Sequence, residues 1–210
     1  MKTRYHIEIT QQALSGYFST HALNDVIKAN IQQDKIIYML GHDHFHVDGN
    51  AFNESFEYIA KQEEMVLDGI EGFNVSSARS ALGRMLHTWQ DFYSHSNYVQ
   101  LWLAKVGNTS PQDIVYDDEV ILHHPDLVSG KNYGLMELFA LIPIISHLII
   151  PLMPQDSHAQ MNLDGPNAGP LFQFAYWAAF KRTVSIFNGI MLQLNAKDIS
   201  QKQISQFLGK

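Results

Sequence analysis

Apolar residues recur along most of the chain at spacings of three and four positions, and no alternating run of strand length interrupts them. This period is typical of amphipathic α-helices, so the sequence predicts an all-α protein. The pattern divides into five main helices joined by polar segments. Their expected ranges are 3–17, 20–40, 53–70, 77–105 and 170–194.

Local signals support the starts of three of these helices. Ser19 or Thr20 is expected to cap the second helix, and Ser76 or Ser77 the fourth, because a hydroxyl accepts a hydrogen bond from a free N–H of the first turn. Pro170 is expected in the first turn of the last helix, where its fixed backbone angle is tolerated.

The chain has 210 residues, of which 46% are apolar and 17% charged, and this composition is sufficient for one sizeable core. No internal repeat is visible. The segment 107–131 is polar and is punctuated by residues such as Asn108 and Pro111, and we interpret it as an excursion with one short helix and not as a domain linker. We therefore expect residues 1–210 to form a single multi-helix domain.

The segment 138–153, LFALIPIISHLIIPLM, carries no charged side chain. It is too short, and too interrupted by Pro143, His147 and Pro151, to cross a bilayer as a regular helix. We expect a kinked helix that is buried in the core. The alternative is a surface that makes peripheral contact with a membrane or with a partner protein.

Charge and cysteine content exclude several functions. The net charge is -7 and the 14 Lys and Arg residues are scattered, so no basic surface for coating duplex nucleic acid is expected. The chain has no cysteine, so any metal must be bound by His, Asp or Glu. The start, MKTRYHIEITQQAL, places polar residues where the core of a signal peptide would lie. We expect a cytoplasmic protein, with secretion by a route without such a signal as the alternative.

The most informative motif is LHTWQDFYSHSNYV, in which His87, Asp91 and His95 lie four residues apart and so share one helical face. Eight residues of helix rise about 12 Å, so His87 and His95 cannot bind the same ion while the helix is unbroken. A carboxylate between them can bridge two ions, with one histidine for each. The spacing indicates a multinuclear metal site. The alternative is a pair of ordinary histidines, one of which pairs with Asp91.

A second cluster lies in GHDHFHVDGNAF, where His44, His46 and Asp48 would share one side of an extended loop. Imidazole nitrogen and carboxylate oxygen are ligands that zinc accepts when cysteine is absent. The alternative is a solvated loop that binds metal adventitiously. His6, on the first helix, is a third element that is uninformative by itself.

Together these motifs resemble the zinc-dependent phospholipase C and P1 nuclease superfamily, and in particular its Het-C-like branch. The resemblance rests on the segments HIEITQQAL, HFHVDGNAF and LHTWQDFYSHSNYV, and more loosely on DSHAQMNLDGPNAG followed by AYWAAFKRT. It implies a helical bundle of the phospholipase C/P1 nuclease type. It also implies a zinc-dependent phosphoester hydrolase, with a small phosphoester or a phospholipid headgroup as substrate.

The resemblance further implies that two or three zinc ions activate water, and that Asp91 bridges two of them as the catalytic carboxylate. The metal ligands that it implies are His6, His46, Asp48, His87, Asp91 and His95. Tyr93 and Tyr98 are candidates for contact with the substrate, although aromatic residues at helical spacing are more often part of a core.

This sequence departs from the family pattern at the last helix. Phe172 and Tyr176 stand where a histidine and a carboxylate are expected four residues apart. His158 and Asp164, from the preceding loop, are possible substitutes. His44 is a further possible ligand.

Two other interpretations compete with this one. In an HD-type metal phosphohydrolase, His42 and Asp43 would both be ligands. In a non-catalytic descendant, metal would only stabilise the fold and the segment 138–153 would bind lipid or protein. The missing pair on the last helix favours the second of these interpretations.

Overall fold

A computed structural model describes residues 1–39, 41–134, 136, 139 and 142–210. In these residues the fold is all-α, with isolated bridges such as Ser96 to Ser129 but no strand. The helices, numbered in chain order, are α1 Thr3–Leu14, α2 Thr20–Gln32, α3 Ile36–Met39, α4 Asp43–His46, α5 Phe52–Glu71, α6 Val75–His95, α7 Tyr98–Val106, α8 Glu119–Leu122, α9 Pro143–Ile149, α10 His158–Met161, α11 Leu171–Ala196 and α12 Gln201–Leu208.

Helix α6 is the central element, and it packs against α2, α5 and α11. Its first half contributes Leu82 and Leu86 to one apolar cluster, which it shares with α2, α5 and α12. Its second half contributes Phe92 and Tyr93 to another cluster, with the start of α1, α7 and the start of α11. The candidate motif of α6 therefore lies where these two parts of the core meet, and most of its side chains are buried.

The packing of α2 on α6 depends on Gly83. A Cβ atom at this position would lie 2.2 Å from the carbonyl oxygen of Val26 and 2.8 Å from the Cβ of Ala29. Glycine is required here because the two backbones are in contact. This close approach brings the polar end of α2 next to the histidines of α6.

Several predicted helix ends are wrong. The helix predicted over 20–40 ends at Gln32, because the polar run 32–35 offers no apolar side chain to the core and closes in tighter turns. The helix predicted over 77–105 is broken after His95, where Asn97 exchanges hydrogen bonds with the 126–128 backbone. Its cap is Asn74 rather than a serine.

Other starts are confirmed. The side chain of Ser19 accepts a hydrogen bond from the backbone of Ala22 at the start of α2. Pro170 immediately precedes the first residue of α11. Helix α12 was not predicted, although Ser200 and Gln203 form a complete capping box at its start.

The loop of the histidine cluster is not extended. Residues 43–46 form α4, and Val47 then adopts a left-handed conformation with φ 60°. The prediction that His44, His46 and Asp48 share one side of an extended loop is therefore wrong. A helical turn directs His46 into the interior, while His44 packs against the ring of Tyr58.

The predicted buried helix over 138–153 falls partly on residues 138, 140 and 141, which lie outside the described residues. Within the described part, Leu148 is 62% exposed and Leu152 is 79% exposed, so the prediction of burial is wrong at these positions. Contact of this surface with a membrane or a partner stays a prediction. Among the described helices, none is long and apolar enough to cross a membrane.

Candidate metal centre

Helix α6 places His87, Asp91 and His95 in the interior, and all three side chains are almost fully buried. Asp91 is the point on which the other elements converge. Its carboxylate meets His6 from α1 and His46 from α4. The histidines that sequence analysis grouped by motif are thus brought together in space.

The Oδ2 atom of Asp91 forms a compact triangle with two imidazole nitrogens. It lies 2.9 Å from Nδ1 of His46 and 3.0 Å from Nε2 of His87. The two nitrogens are themselves 3.1 Å apart. Asp34, at the end of α2, approaches the same nitrogen of His87 at 3.7 Å.

His6 approaches the other oxygen of the same carboxylate. Its Nε2 atom is 3.1 Å from Oδ1 of Asp91, but the alignment does not make a hydrogen bond, and this buried nitrogen has no hydrogen-bond partner. The Nε2 atom of His46 is likewise buried without a partner. Two buried imidazole nitrogens are therefore unsatisfied, and one of them, Nε2 of His6, lies beside the carboxylate, which is unusual because buried polar atoms are nearly always paired.

The opposite ring nitrogens of three histidines each face an oxygen. Nδ1 of His6 is 2.6 Å from Oε1 of Gln90, Nδ1 of His87 is 3.3 Å from Oδ1 of Asn30, and Nδ1 of His95 is 2.9 Å from the carbonyl oxygen of His46. If each Nδ1 carries the proton, it donates to that oxygen and leaves the Nε2 lone pair free. In all three rings Nε2 is the nitrogen that faces Asp91.

A network of amides and hydroxyls fixes these orientations. The Nε2 group of Gln90 donates to Thr10 and to Thr183, so its oxygen is turned toward His6. The Nδ2 group of Asn30 donates to that same oxygen and to Thr10, so the oxygen of Asn30 is turned toward His87. The side chains of Gln90 and Asn30 therefore hold the imidazole rings of His6 and His87 in their orientations.

A second group lies on the other side of His95. Oδ1 of Asp48 is 3.2 Å from Nδ1 of His95 and 2.9 Å from Nδ1 of His158. Oδ1 of Asp164 is 3.2 Å from Nε2 of His95. His158 and Asp164, the two proposed substitutes from the late loop, thus both reach the site.

The amino group of Met1 lies between two carboxylates, in contact with Asp91 and 2.9 Å from Oδ1 of Asp164. Burial opposes its charge, but the two carboxylates more than offset that effect and raise its pKa to about 11. The same amine, with the surrounding histidines, outweighs burial and holds the pKa values of Asp91 and Asp164 well below their ordinary range.

The histidines differ in their charge. Burial lowers the pKa of His87 to about 4, so this ring is neutral near pH 7. Burial also opposes charge on His95, but Asp91 and Asp48 outweigh it and raise the pKa of His95 well above its ordinary value. The pKa of His158 is raised in the same way by Asp48. Conversely, burial tends to raise the pKa of Asp48, but His158 and His95 lower it.

Among the described residues, three sets of side chains have the composition and spacing to hold a metal ion. Within each set, one ligand atom per residue lies within 4.8 Å of the others. The sets are His6–Asp34–His87, His46–His87–Asp91 and Asp48–His95–His158.

Some predicted site residues lie elsewhere. His44 packs on aromatic rings and, like Asp43, belongs to none of the three sets. Tyr93 and Tyr98 are completely buried, and their hydroxyls donate to the backbone carbonyls of residues 116 and 115. This placement makes both tyrosines part of the core.

Three further residues of the site, Asn30, Asp34 and Gln90, were not predicted from the sequence. Asn30 follows Val26 at helical spacing on the inward face of α2, and a polar residue on an apolar stripe is a signal that was available. Gln90 lies inside the most informative motif. Asp34 carried no signal, because its position depends on where α2 ends.

Comparison with known proteins shows the family. The family model described as the VWA7 N-terminal domain matches residues 4–121, which is more than half of the chain. The chain belongs to the VWA7 N-terminal domain family. The matched residues include both histidine motifs and His6, whereas the late loop with His158 and Asp164 lies beyond them.

Two curated relatives agree with this family. Von Willebrand factor A domain-containing protein 7 of Mus musculus is 32% identical over 80 residues, and that of Rattus norvegicus is 32% identical over 90 residues. These matches cover 38% and 41% of this chain, but only 9% and 10% of the relatives. No solved structure matches the chain.

The resemblance to the phospholipase C and P1 nuclease superfamily is therefore wrong as an assignment of family. The matching family is the VWA7 N-terminal domain, and its relatives carry no enzyme name. The zinc-dependent phosphoester hydrolase that the resemblance implied is wrong with it. The helical architecture did not depend on that resemblance, and the His and Asp side chains that could bind metal are present.

Proposed function

We propose that this VWA7 N-terminal domain binds divalent transition-metal ions at the centre around Asp91, and that the metal joins α1, α4 and α6. The observation that carries the proposal is the triangle of Asp91, His46 and His87, which is buried in the core. A carboxylate and two imidazoles are the ligand types that zinc and similar ions accept in the absence of thiolates.

The size of the triangle supports this proposal. Zinc binds nitrogen and oxygen at about 2.0–2.1 Å, so neighbouring ligand atoms of a tetrahedral site are about 3.3 Å apart. The three edges here are 2.9, 3.0 and 3.1 Å. The ligand atoms are therefore within a few tenths of an ångström of the face of such a site.

The surrounding hydrogen bonds also support it. Metal-binding histidines usually donate the N–H of the other ring nitrogen to an oxygen, which fixes the ring and leaves a lone pair for the metal. His6 and His87 both have an oxygen beside Nδ1. In addition, the buried Nε2 atom of His6 has no hydrogen-bond partner and lies 3.1 Å from Oδ1 of Asp91, and a cation bound beside that oxygen would satisfy it.

We propose a second ion at Asp48, His95 and His158. Asp91 then lies between the two sites, because one of its oxygens faces His46 and His87 while the other faces His6 and His95. A carboxylate in this position is suited to serve two ions, provided that the Met1 amine, which contacts its Oδ1 atom, is displaced when the second ion binds. The expected role is stabilisation, because a site assembled only in the folded state adds its binding free energy to folding.

Metal content and stability test the proposal. The untagged protein, purified without chelator, should contain at least one transition-metal ion per chain by mass spectrometry. Removing the metal should lower the melting temperature, and adding zinc should restore it. A metal-free preparation whose melting temperature does not respond to zinc, manganese or cobalt would overturn the proposal.

A matched pair of variants localises the metal. His87→Ala should reduce the metal content, because His87 is completely buried in the triangle. His123→Ala is the control, since His123 is exposed and pairs with the neighbouring Glu119 on α8. Equal metal content in both variants would mean that the metal is bound elsewhere.

A further inference from the structure

We propose that a separate pocket between α2, α4, α5 and α6 binds a small organic oxyanion, a carboxylate or phosphonate-type group carried on a flat apolar ring. The pocket has a volume of about 360 Å³, within the range of small-molecule sites. It is lined by polar and aromatic side chains that include Gln33, Phe45, Tyr58, Lys61, Gln62 and Arg84. This inference does not rest on the proposed metal centre.

The charge of the pocket indicates the sign of the ligand. Arg84 is half-buried in its wall and Lys61 lies exposed at its edge. In the described part of the chain, neither cation has a carboxylate within salt-bridge distance, and neither is stacked on an aromatic ring. This arrangement is notable in a protein with a net charge of -7.

The hydrogen bonds within the pocket wall occupy its amide acceptors and leave donors available to a ligand. Nε of Arg84 donates to Oε1 of Gln62 at 3.1 Å. The hydroxyl of Tyr58 donates to Oε1 of Gln33 at 2.6 Å, and Nε2 of Gln33 donates to the carbonyl oxygen of Arg84 at 3.1 Å. Both amide oxygens are therefore engaged. The terminal nitrogens of Arg84 and the ammonium group of Lys61 are the donors that can serve a ligand, and their preferred acceptors are anionic oxygens.

The aromatic side of the pocket indicates the rest of the ligand. The ring centroids of Phe45 and Tyr58 are 4.6 Å apart, and Tyr38 lies 6.3 Å from Phe45. Together these rings give the pocket an apolar side in addition to its two cations. A ligand with an aromatic ring next to its anionic group would pack on this side while the anion meets Arg84.

The pocket borders the candidate metal centre without sharing its ligands. Gln33 precedes Asp34, Phe45 precedes His46, and Arg84 lies one helical turn before His87. A ligand in the pocket would therefore lie beside the centre. For this reason the test must separate an anion bound by the pocket from an anion bound to metal.

Ligand-observed NMR titration with phenylphosphonate and benzoate provides the test, with benzyl alcohol as the neutral analogue and inorganic phosphate as the anion without a ring. Both aromatic anions are titrated into chelator-treated and zinc-loaded protein. We expect at least one of them to bind in both preparations, and benzyl alcohol and inorganic phosphate to bind more weakly. The anion that binds more tightly identifies the acidic group of the ligand.

Substitutions complete the test. Arg84→Gln should weaken binding by about tenfold or more, because it removes a charged hydrogen-bond donor. Lys61→Gln, at an exposed position that should not affect folding, should also weaken it. Lys202→Gln, exposed on α12, is the control and should have no effect. Unchanged affinity in both pocket variants, or equal binding of benzyl alcohol, would overturn the inference. Binding that occurs only with zinc and is insensitive to Arg84 would assign the anion to the metal instead.

Discussion

Replacing Asp91 with asparagine separates the metal from the hydrogen bonds of the centre, because the amide has nearly the same shape but no charge. In metal-free protein the carboxylate compensates the positive charges of the Met1 amine and of His95, whose pKa values are raised, and it is within hydrogen-bond distance of Nδ1 of His46. Breaking a buried charge pair by removing one partner typically costs about 3–5 kcal/mol of folding free energy. For a chain of this size this loss lowers the melting temperature by roughly 6–20 °C.

The decisive quantity is the gain in stability on adding metal. Metal at a hundred times its dissociation constant stabilises the parent by about 2.7 kcal/mol, or roughly 5–11 °C. If the asparagine variant binds a hundredfold more weakly, the same metal concentration stabilises it by only about 0.4 kcal/mol, or about 1 °C. The absolute loss reports on folding, whereas the difference between the two gains reports on metal binding.

The assay is thermal unfolding of both proteins in chelator and at one fixed zinc concentration. Asp126→Asn is the matched control, since Asp126 is largely exposed and its carboxylate has only a distant contact with His124. The control should show the full gain of the parent. If the Asp91 variant gains as much from zinc as the parent does, Asp91 is not a ligand and the two-ion arrangement around it is wrong.

Three further predictions concern the fold. Gly83→Ala should destabilise the protein by about 1–3 kcal/mol, because the new methyl group meets the Val26 carbonyl and this clash outweighs the better helix propensity of alanine. An unchanged midpoint of denaturant unfolding would contradict this packing. Leu148→Gln should change the unfolding free energy by less than about 0.5 kcal/mol because Leu148 is exposed, whereas a larger loss would mean that its surface is covered. Burial raises the pKa values of Tyr58 and Tyr93 to about 12, and the unfolded chain ionises near pH 10. Since the unfolded state then binds fewer protons, stability should fall between about pH 10 and 12, and a spectrophotometric titration should show these tyrosines ionising late.

The parts of the fold that could be predicted are those that follow from the spacing of apolar and polar residues within a few positions. The helical stripe around Leu82 and Leu86 and the cap at Ser19 are set by neighbours within a few residues, and both agree with the structure. Helix ends were less predictable, because they depend on which elements pack nearby. The break after His95 results from Asn97 pairing with backbone some thirty residues later in the chain, and no local pattern encodes that contact.

The same distinction applies to the candidate centre. His87, Asp91 and His95 lie on one helix, so their common face followed from spacing alone. His46 was grouped correctly but for the wrong reason, since a short helix and the left-handed Val47 bury it where an extended loop was expected. The position of Asp34 depends on the end of α2, which the periodicity placed eight residues too late.

The family assignment failed because a short motif of ligand residues indicates which ligands a site can bind, but says little about the family from which the protein descends. Histidines and an aspartate at four-residue spacing will form a similar strip on any helix, since the spacing follows from helix geometry. The motif therefore supports a metal hypothesis in a VWA7 N-terminal domain as well as in a hydrolase, but a reaction requires more than ligands. The observation that favours a metal site over a structural histidine cluster is the buried Nε2 of His6, which has no hydrogen-bond partner although its Nδ1 is held by Gln90. A cluster built only for packing would gain stability by satisfying that nitrogen, and its unsatisfied state is the strongest physical reason to look for a cation beside Asp91.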